Sequence, residues 1–407
     1  MTAVLPSATR LAAGASYPRE HIPKNPILSA ASFTRYSRTD IPSVLDAGAV
    51  RYVNRGCMAI GLALQHAQVG ADDEVLLPAY HCITMIEPVA WRGARAVFYR
   101  IHADTSIDLD DIESRLTPRT RVLLVTHYFG FPQNMPRIRK FCDAHRLLLI
   151  EDCSHAFFGR IGSAPVGSFG DYASASAWKF FPIYDGGVLI SGRRDLSDLQ
   201  LQTRGPWFQA KAFVNTLEQA FEYGRLSVAR LLLKVPLLLK DRLLRRAKKP
   251  AAPAASLSGG GLSTSLGGWG FNAALVATKM SISSWLITSL ASKHRNTQSR
   301  RRNYARLLAE LGNLPGCRPL FKTLPDGVVP QVFPLVFDAP ERAFPLLKQA
   351  GVPIIRFGEY LWEGMDLSTC PVSVALSRGV FQFPCHQELS ESELEWMIGQ
   401  VKSVSAQ

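Results

Sequence analysis

The sequence predicts an α/β fold, with a large domain on a mainly parallel central sheet and a smaller C-terminal α+β domain. Two observations carry this. From about residue 50 to 205, short apolar runs alternate with helix-like segments, and the runs are apolar throughout rather than every second residue. Strands buried on both faces of a parallel sheet read this way. From about residue 315, short strands such as "QVFPLVF" mix with helices such as "ESELEWMIGQVKS" in a smaller unit.

Taken in order, "GCMAIGLALQHA" opens the first domain as a glycine-initiated helix. "EVLLP", "AVFY", "RVLLVTH", "LLLIED" and "GVLIS" are the strands that follow. "NMPRIRKFCDAH" between them carries apolar residues at three- and four-residue spacing, the mark of an amphipathic helix. Residues 207–249 read as basic amphipathic helix with Pro236 as a kink. "KKPAAPAASLSGGGLSTSLGG" then has the composition of a linker. A long helical stretch resumes over 274–311. The expected boundaries are a large domain over 1–285, carrying an insertion at about 206–268, and a small domain over 286–407.

Bulk composition narrows the class. The 407 residues are 47% apolar and 19% charged, an ordinary folded chain with length enough for two domains. The first twenty residues lack the apolar core of a signal peptide, and no apolar run is long enough for a membrane span. Seven scattered cysteines never form a C-x-x-C pair, which argues against a zinc site or disulfide framework and fits a reducing cytosol. The net charge of +13 is concentrated: "GRLSVARLLLKVPLLLKDRLLRRAKK" has nine basic residues and one acidic. In it Leu231, Leu232, Leu233, Leu237, Leu238 and Leu239 alternate with Arg and Lys, so residues 225–249 could lie on a membrane surface. Covering a site mouth or a dimer seam, with a solvated basic face, is the commoner role of such helices. Interleaved aromatics for base stacking are missing, which disfavours nucleic acid.

Four pieces bear on chemistry. "LLLIEDCSHAF" ends a strand in Glu151-Asp152 with His155 three residues on; such acids reach ligands beyond the strand ends, or else cap the next helix. Lys179 lies in "ASASAWKFFPIYDGG", where a desolvated amine becomes a nucleophile toward carbonyls; a lysine stem resting on apolar neighbours is the commoner case. "NRGCMAIGLAL" starts a helix whose free N–H groups suit a phosphate. "LLPAYHC" places Tyr80 and His81 at a strand end, able to cover a flat ring or simply to pack in a core. Together the four describe pyridoxal phosphate: an amine for the aldehyde, an acid for the ring nitrogen and a helix end for the phosphate.

Residues 50–191 resemble the DegT/DnrJ family of pyridoxal-phosphate-dependent aminotransferases. The glycine-initiated helix, "DEV", "VTHYFG", "EDCSHAF", "VGSFGDY" and the lysine before "GG" occur in the family's order, and "FPCHQELSESELEWMI" resembles its closing segment. The resemblance implies the three-layer fold type I of pyridoxal-phosphate transferases. It implies amino transfer from an amino acid, glutamate foremost, to a keto sugar carried on a nucleotide, by a cytoplasmic homodimer. A lipid-linked acceptor, or a degenerate fold serving as a membrane-surface or interaction module, are the alternatives. Carried over by position, Lys179 would join the cofactor aldehyde, Asp152 would pair with the ring nitrogen and His155 would contact the ring hydroxyl. Gly56, Cys57 and Met58 would hold the phosphate, with Ser176 or, at the family's five-residue spacing from the lysine, Ser174. Tyr80 or His81 would cover the ring. No metal is expected. The family's Asn-Tyr-Arg-Met stretch, which reaches a neighbouring subunit's phosphate, stands here as "ATKM" (277–280), with Asn272 and Lys279 nearby. Arg300, Arg301, Arg302 and Arg356 are candidates for a diphosphate.

Overall fold

A computed structural model describes residues 8–10, 17–34, 41–233 and 270–406. The linker read at 248–268, Pro236 and Leu237 to Leu239 lie outside the described residues.

The large sheet has seven strands: β1 (Ala49–Val53), β2 (Glu74–Pro78), β3 (Arg95–Tyr99), β4 (Thr120–Thr126), β5 (Leu148–Asp152), β6 (Tyr172–Ala175) and β7 (Gly187–Ser191). Their order is β1-β7-β6-β5-β4-β2-β3. From β3 across to β6 every pairing is parallel, and β7 alone runs against its neighbours. The residues explain the arrangement. Every residue of β2 and of β7 is buried, so each strand needs cover on both faces. The helices α1 (Gly56–His66), α2 (Ile83–Trp91), α3 (Leu109–Ser114) and α4 (Met135–His145) fill the crossovers that parallel strands require. α4 starts at Asn134, whose side chain accepts from Arg137 N–H, and ends at Arg146 in the left-handed conformation.

The basic segment that follows is broken rather than continuous. α5 (Pro206–Glu222) ends before Gly224 and Leu226, both at positive φ, and α6 (Ser227–Leu232) restarts the helix. The stretch expected as one helix over 274–311 is likewise two, α7 (Ile282–Leu290) and α8 (Lys293–Leu311). Ser292 separates them, its side chain capping α8 through Arg295 N–H.

The C-terminal unit is a four-stranded antiparallel sheet, β8 (Cys317–Pro319), β9 (Val332–Phe337), β10 (Ile355–Arg356) and β11 (Val380–Pro384), in the order β8-β9-β11-β10. α9 (Pro340–Gln349), α10 (Pro371–Gly379) and α11 (Glu391–Ser405) accompany it. Its core joins Tyr304, Leu307 and Leu311 of α8 to Phe333, Phe381 and Phe383 of the sheet. The N-terminal stretch belongs to this core too: Ile22 is fully buried in it, and His386 bonds the carbonyl of Pro23 at 3.0 Å.

Candidate active site

A cavity of about 330 Å³ lies beyond the carboxyl ends of the large sheet and reaches the small one. Its inner end is fixed by close backbone packing. A Cβ on Gly187 would stand 2.1 Å from the carbonyl carbon of Arg55, so only glycine lets β7 pass under the start of α1. A Cβ on Gly56 would stand 2.3 Å from Ser176 Oγ and 3.1 Å from Ser154 Oγ. Those hydroxyls lie 3.2 Å apart, and both line the cavity with Gly56 and Cys57. Among the described residues no side chain caps α1, which leaves its first N–H groups for a ligand.

Asp152 ends β5 in the cavity wall, where its Oδ1 accepts from Ser154 N–H at 2.9 Å. Its neighbour Glu151 points the other way, as successive residues of a strand must. Fully buried, Glu151 accepts from the N–H groups of Gly167, Phe169 and Gly170, and lies 3.0 Å from His127 Nε2. One acid of the pair therefore builds the loop before β6, and the other faces the cavity.

Lys179 stands opposite, at the end of a short 3-10 turn after β6. Burial pushes its amine below the ordinary lysine range, and Asp152 is the strongest charge acting against that shift. His155 stacks on Phe129, with ring centroids 5.6 Å apart; burial, then the charge of Lys179, holds its imidazole well below the usual range and so neutral. Cys57 and Cys82 complete this wall as thiols, Cys57 being pushed up to about 12 by burial.

Several expected residues lie elsewhere. The side chain of Met58 is fully buried in the main core, so this residue has only its backbone N–H in the first turn of α1 to offer a phosphate. Ser174 is buried 3.5 Å from Asp152 Oδ1 and does not line the cavity, so of the two serines Ser176 is the one in the wall. Tyr80 and His81 are not in the wall either. Both are fully buried, Tyr80 stacked on Tyr128 and His81 on Phe98, and burial lowers His81 to about 4. Cys82, Thr84 and Met85 present that side of the cavity instead. The expected diphosphate arginines also have other partners. Arg300 is fully buried and donates to the carbonyls of Lys179, Pro330 and Gln331 and to the side chains of Asn296 and Gln387. Arg301 bonds the carbonyls of Pro325 and Val328, and Arg302 is exposed. Arg356 does line the cavity, with its guanidinium over Phe344 and Phe381. Asn272 caps its own short turn, and neither it nor Lys279 lines the cavity.

Sequence reasoning misassigned one contributor and missed two. Arg300 with Asn296 and Gln387 grips the carbonyls of Lys179 and Phe180, so α8 and the small unit position the lysine. Lys24 and Asn25 enter the wall from the N-terminal stretch, and Asn215 and Gln219 from α5. The four-residue spacing of the last two was the one sequence signal available.

This architecture is the fold of the sugar aminotransferases. The structure of DesV from S. venezuelae superposes with a TM-score of 0.60 over 89% of this chain and 86% of that one, at 21% identity. Residues 43–214 match the model of the DegT/DnrJ/EryC1/StrS aminotransferase family, which bears out over that segment the resemblance read from the sequence. The UDP-N-acetyl-3-dehydro-alpha-D-glucosamine 3-aminotransferase of Acidithiobacillus ferrooxidans is 34% identical over 169 residues, 37% of this chain and 43% of that protein. The dTDP-3-amino-3,4,6-trideoxy-alpha-D-glucose transaminase of Streptomyces venezuelae is 33% identical over 153 residues, 36% of this chain and 40% of that protein. The chain thus spans about two fifths of the length of these curated relatives.

Proposed function

We propose that the protein is a pyridoxal-phosphate-dependent aminotransferase that moves an amino group from an amino acid, glutamate foremost, to a nucleotide-linked keto sugar. The observation that carries this is the meeting of Lys179, Asp152 and the uncapped start of α1 in one cavity. The residues fit the cofactor. Gly56, Ser154 and Ser176 form a cradle that a single methyl group would fill, Asp152 is the only acid among the described residues of the wall, and Lys179 is its half-buried amine. When bound, pyridoxal phosphate supplies an aldehyde for nitrogen exchange and a protonated pyridine ring that accepts the electron pair left by the donor's α-proton.

The chain's own groups do the rest. Asp152 would keep the proton on the ring nitrogen, and the hydroxyls of Ser154 and Ser176 with the first N–H groups of α1 would hold the phosphate. Neutral His155 donates or accepts at the ring hydroxyl without adding charge. Lys179 would be the group that holds the cofactor's aldehyde and, when released, the base at the donor's α-carbon, a task suited to an amine whose proton is loosened by burial. Lys24, Asn25, Asn215 and Gln219 offer hydrogen bonds to a hydroxyl-rich acceptor at the outer end. The test is product formation: keto sugars on nucleotide and lipid carriers are offered with glutamate and cofactor. Amino-sugar formation supports the reading, and absence of any amine transfer with every acceptor contradicts it.

The same reading carries a cytoplasmic homodimer, in which the exposed Ile282, Trp285, Leu286 and Leu290 of α7 would be covered by the second copy. Light scattering of the purified protein tests it. A second reading is favoured by α6, which leaves Val228, Leu231 and Leu232 more than 70% exposed where the basic run of 225–249 begins. There the enzyme would visit an anionic membrane to reach a lipid-linked acceptor. No helix among the described residues is long and apolar enough to cross one. Flotation with anionic vesicles, comparing the whole chain with a deletion of 225–249, separates the two: equal partitioning removes the membrane reading.

A further inference from the structure

The residue that stacks on His155 has a strained backbone. Phe129 sits at φ 59° and ψ 13°, in the left-handed region that a large side chain rarely enters. Its neighbours pin it there. Ahead of it, His127 N–H donates to the carbonyl of Asp152 at 3.1 Å, and the Tyr128 hydroxyl donates to the carbonyl of Tyr80 at 2.6 Å. After it, Gly130 lies so close to the chain before β9 that a Cβ would stand 2.4 Å from the carbonyl oxygen of Val329. The carbonyl of Phe129 itself accepts from Gln331 N–H at 2.8 Å. A backbone outlier held from both sides points to a task.

What Phe129 touches shows the task. Its N–H donates to His155 Nδ1 at 3.4 Å, while its ring lies over the imidazole at an interplanar angle of 16°. Phe357 closes on the same imidazole edge-on, with centroids 5.0 Å apart. A backbone N–H can only donate, so Nδ1 must carry a lone pair. Burial and the charge of Lys179 keep the imidazole neutral. A neutral ring that accepts at Nδ1 has its proton on Nε2, and this is the nitrogen left for the cavity that His155 lines.

We propose that Phe129 is a positioning residue for the cofactor ring: through Nδ1 it fixes His155 as the Nε2–H tautomer, so that the site offers a donor at the ring hydroxyl and favours that oxygen ionised over protonated. An ionised oxygen can only accept, whereas the other tautomer, with a lone pair on Nε2, would favour the protonated form. This role for Phe129 rests on the cavity being a pyridoxal phosphate site; the tautomer of His155 does not.

The test uses the full-length protein. Apo samples labelled with nitrogen-15 histidine report the tautomer by NMR, with His155→Gln identifying the resonances. Binding of pyridoxal phosphate is followed by tryptophan fluorescence, Trp178 being in the cavity wall. Absorbance of the loaded protein at neutral pH then gives the ratio of ionised to protonated ring oxygen, the ionised form absorbing at longer wavelength. Wild type should show a bare Nδ1 and a protonated Nε2, and a loaded ring that is mostly ionised. Phe129→Val, whose branched Cβ resists positive φ, should withdraw the N–H and mix the tautomers. The ratio should then shift toward the protonated form by about 3- to 10-fold, the worth of one hydrogen bond. Phe129→Leu removes the ring but keeps the turn, as Leu226 does at φ 54° elsewhere in the chain, so both signatures should stay near wild type. If Phe129→Val does not fold, the wild-type tautomer and the Phe129→Leu ratio still decide. A proton on Nδ1 in wild type, a Phe129→Val ratio equal to wild type, or a Phe129→Leu ratio shifted by as much as about 3-fold overturns the assignment. Wild-type protein that shows the expected tautomer but binds no pyridoxal phosphate overturns the cofactor reading, and leaves the hold of Phe129 on His155 standing.

Discussion

Replacing Glu151 and Asp152 one at a time should give opposite results, although the two carboxylates are adjacent in the chain. Glu151→Ala strands the N–H groups of Gly167, Phe169 and Gly170 and the imidazole of His127, all but the half-buried Phe169 in buried positions. A hydrogen bond to a charged group contributes about 1.5–3 kcal/mol, and the losses do not add in full because the carboxylate's own desolvation cost disappears with it. The net destabilisation is about 4 kcal/mol. With an m-value on the order of 4 kcal/mol/M for a chain this long, the urea midpoint should fall by about 1 M. Asp152→Asn keeps an oxygen for Ser154 N–H, so its midpoint should move by less than about 0.25 M, a cost under about 1 kcal/mol. Its defect should be functional: an amide cannot hold the ring proton, and amine transfer should fall by a factor of at least about 100. Urea melts of both apo variants and single-turnover rates with glutamate read out the two effects. A Glu151→Ala protein as stable as wild type, or an Asp152→Asn protein with normal turnover, would refute the division of labour.

Two further outcomes follow from the same geometry. Gly56→Ala drives a methyl group to 2.3 Å from Ser176 Oγ, so the apo variant should bind pyridoxal phosphate at least about 10-fold more weakly in the same fluorescence titration. His81 and His386 are buried neutral, lowered to about 4 and about 3. Between those values and the ordinary 6.5 the unfolded chain binds more protons than the folded one, so stability is complete above pH 6.5 and falls as pH drops toward 4. The fall is about 3 kcal/mol for His81 alone. His81→Gln, which keeps an acceptor for Trp362 N–H, should make the acid limb of a stability–pH profile shallower; an unchanged slope would contradict the assignment.

The sheet was legible because its strands are buried on both faces: "EVLLP" and "GVLIS" coincide with β2 and β7, and "LLLIED" ends with β5. Composition could not show that β7 reverses direction, since a strand buried on both faces reads the same either way. The helix breaks at Leu226 and Ser292 were illegible for a local reason: leucine at positive φ and a serine cap depend on packing, not on pattern. In the site, Lys179 and Asp152 stood out because charge in an apolar run is rare. Tyr80 and His81 misled because an aromatic pair at a strand end can face a ligand or a core, and here Tyr128 and Phe98 claim them. The hold of Arg300 on Lys179 joins positions 121 apart in the chain, a contact no spacing rule reaches.

The most direct measurement is chemical. Protein loaded with pyridoxal phosphate is reduced with borohydride and digested with trypsin. The label should appear on one peptide, residues 161–193, with cleavage at Lys179 blocked, and should vanish in Lys179→Ala. Label on another lysine, or none in the wild type, would contradict the account.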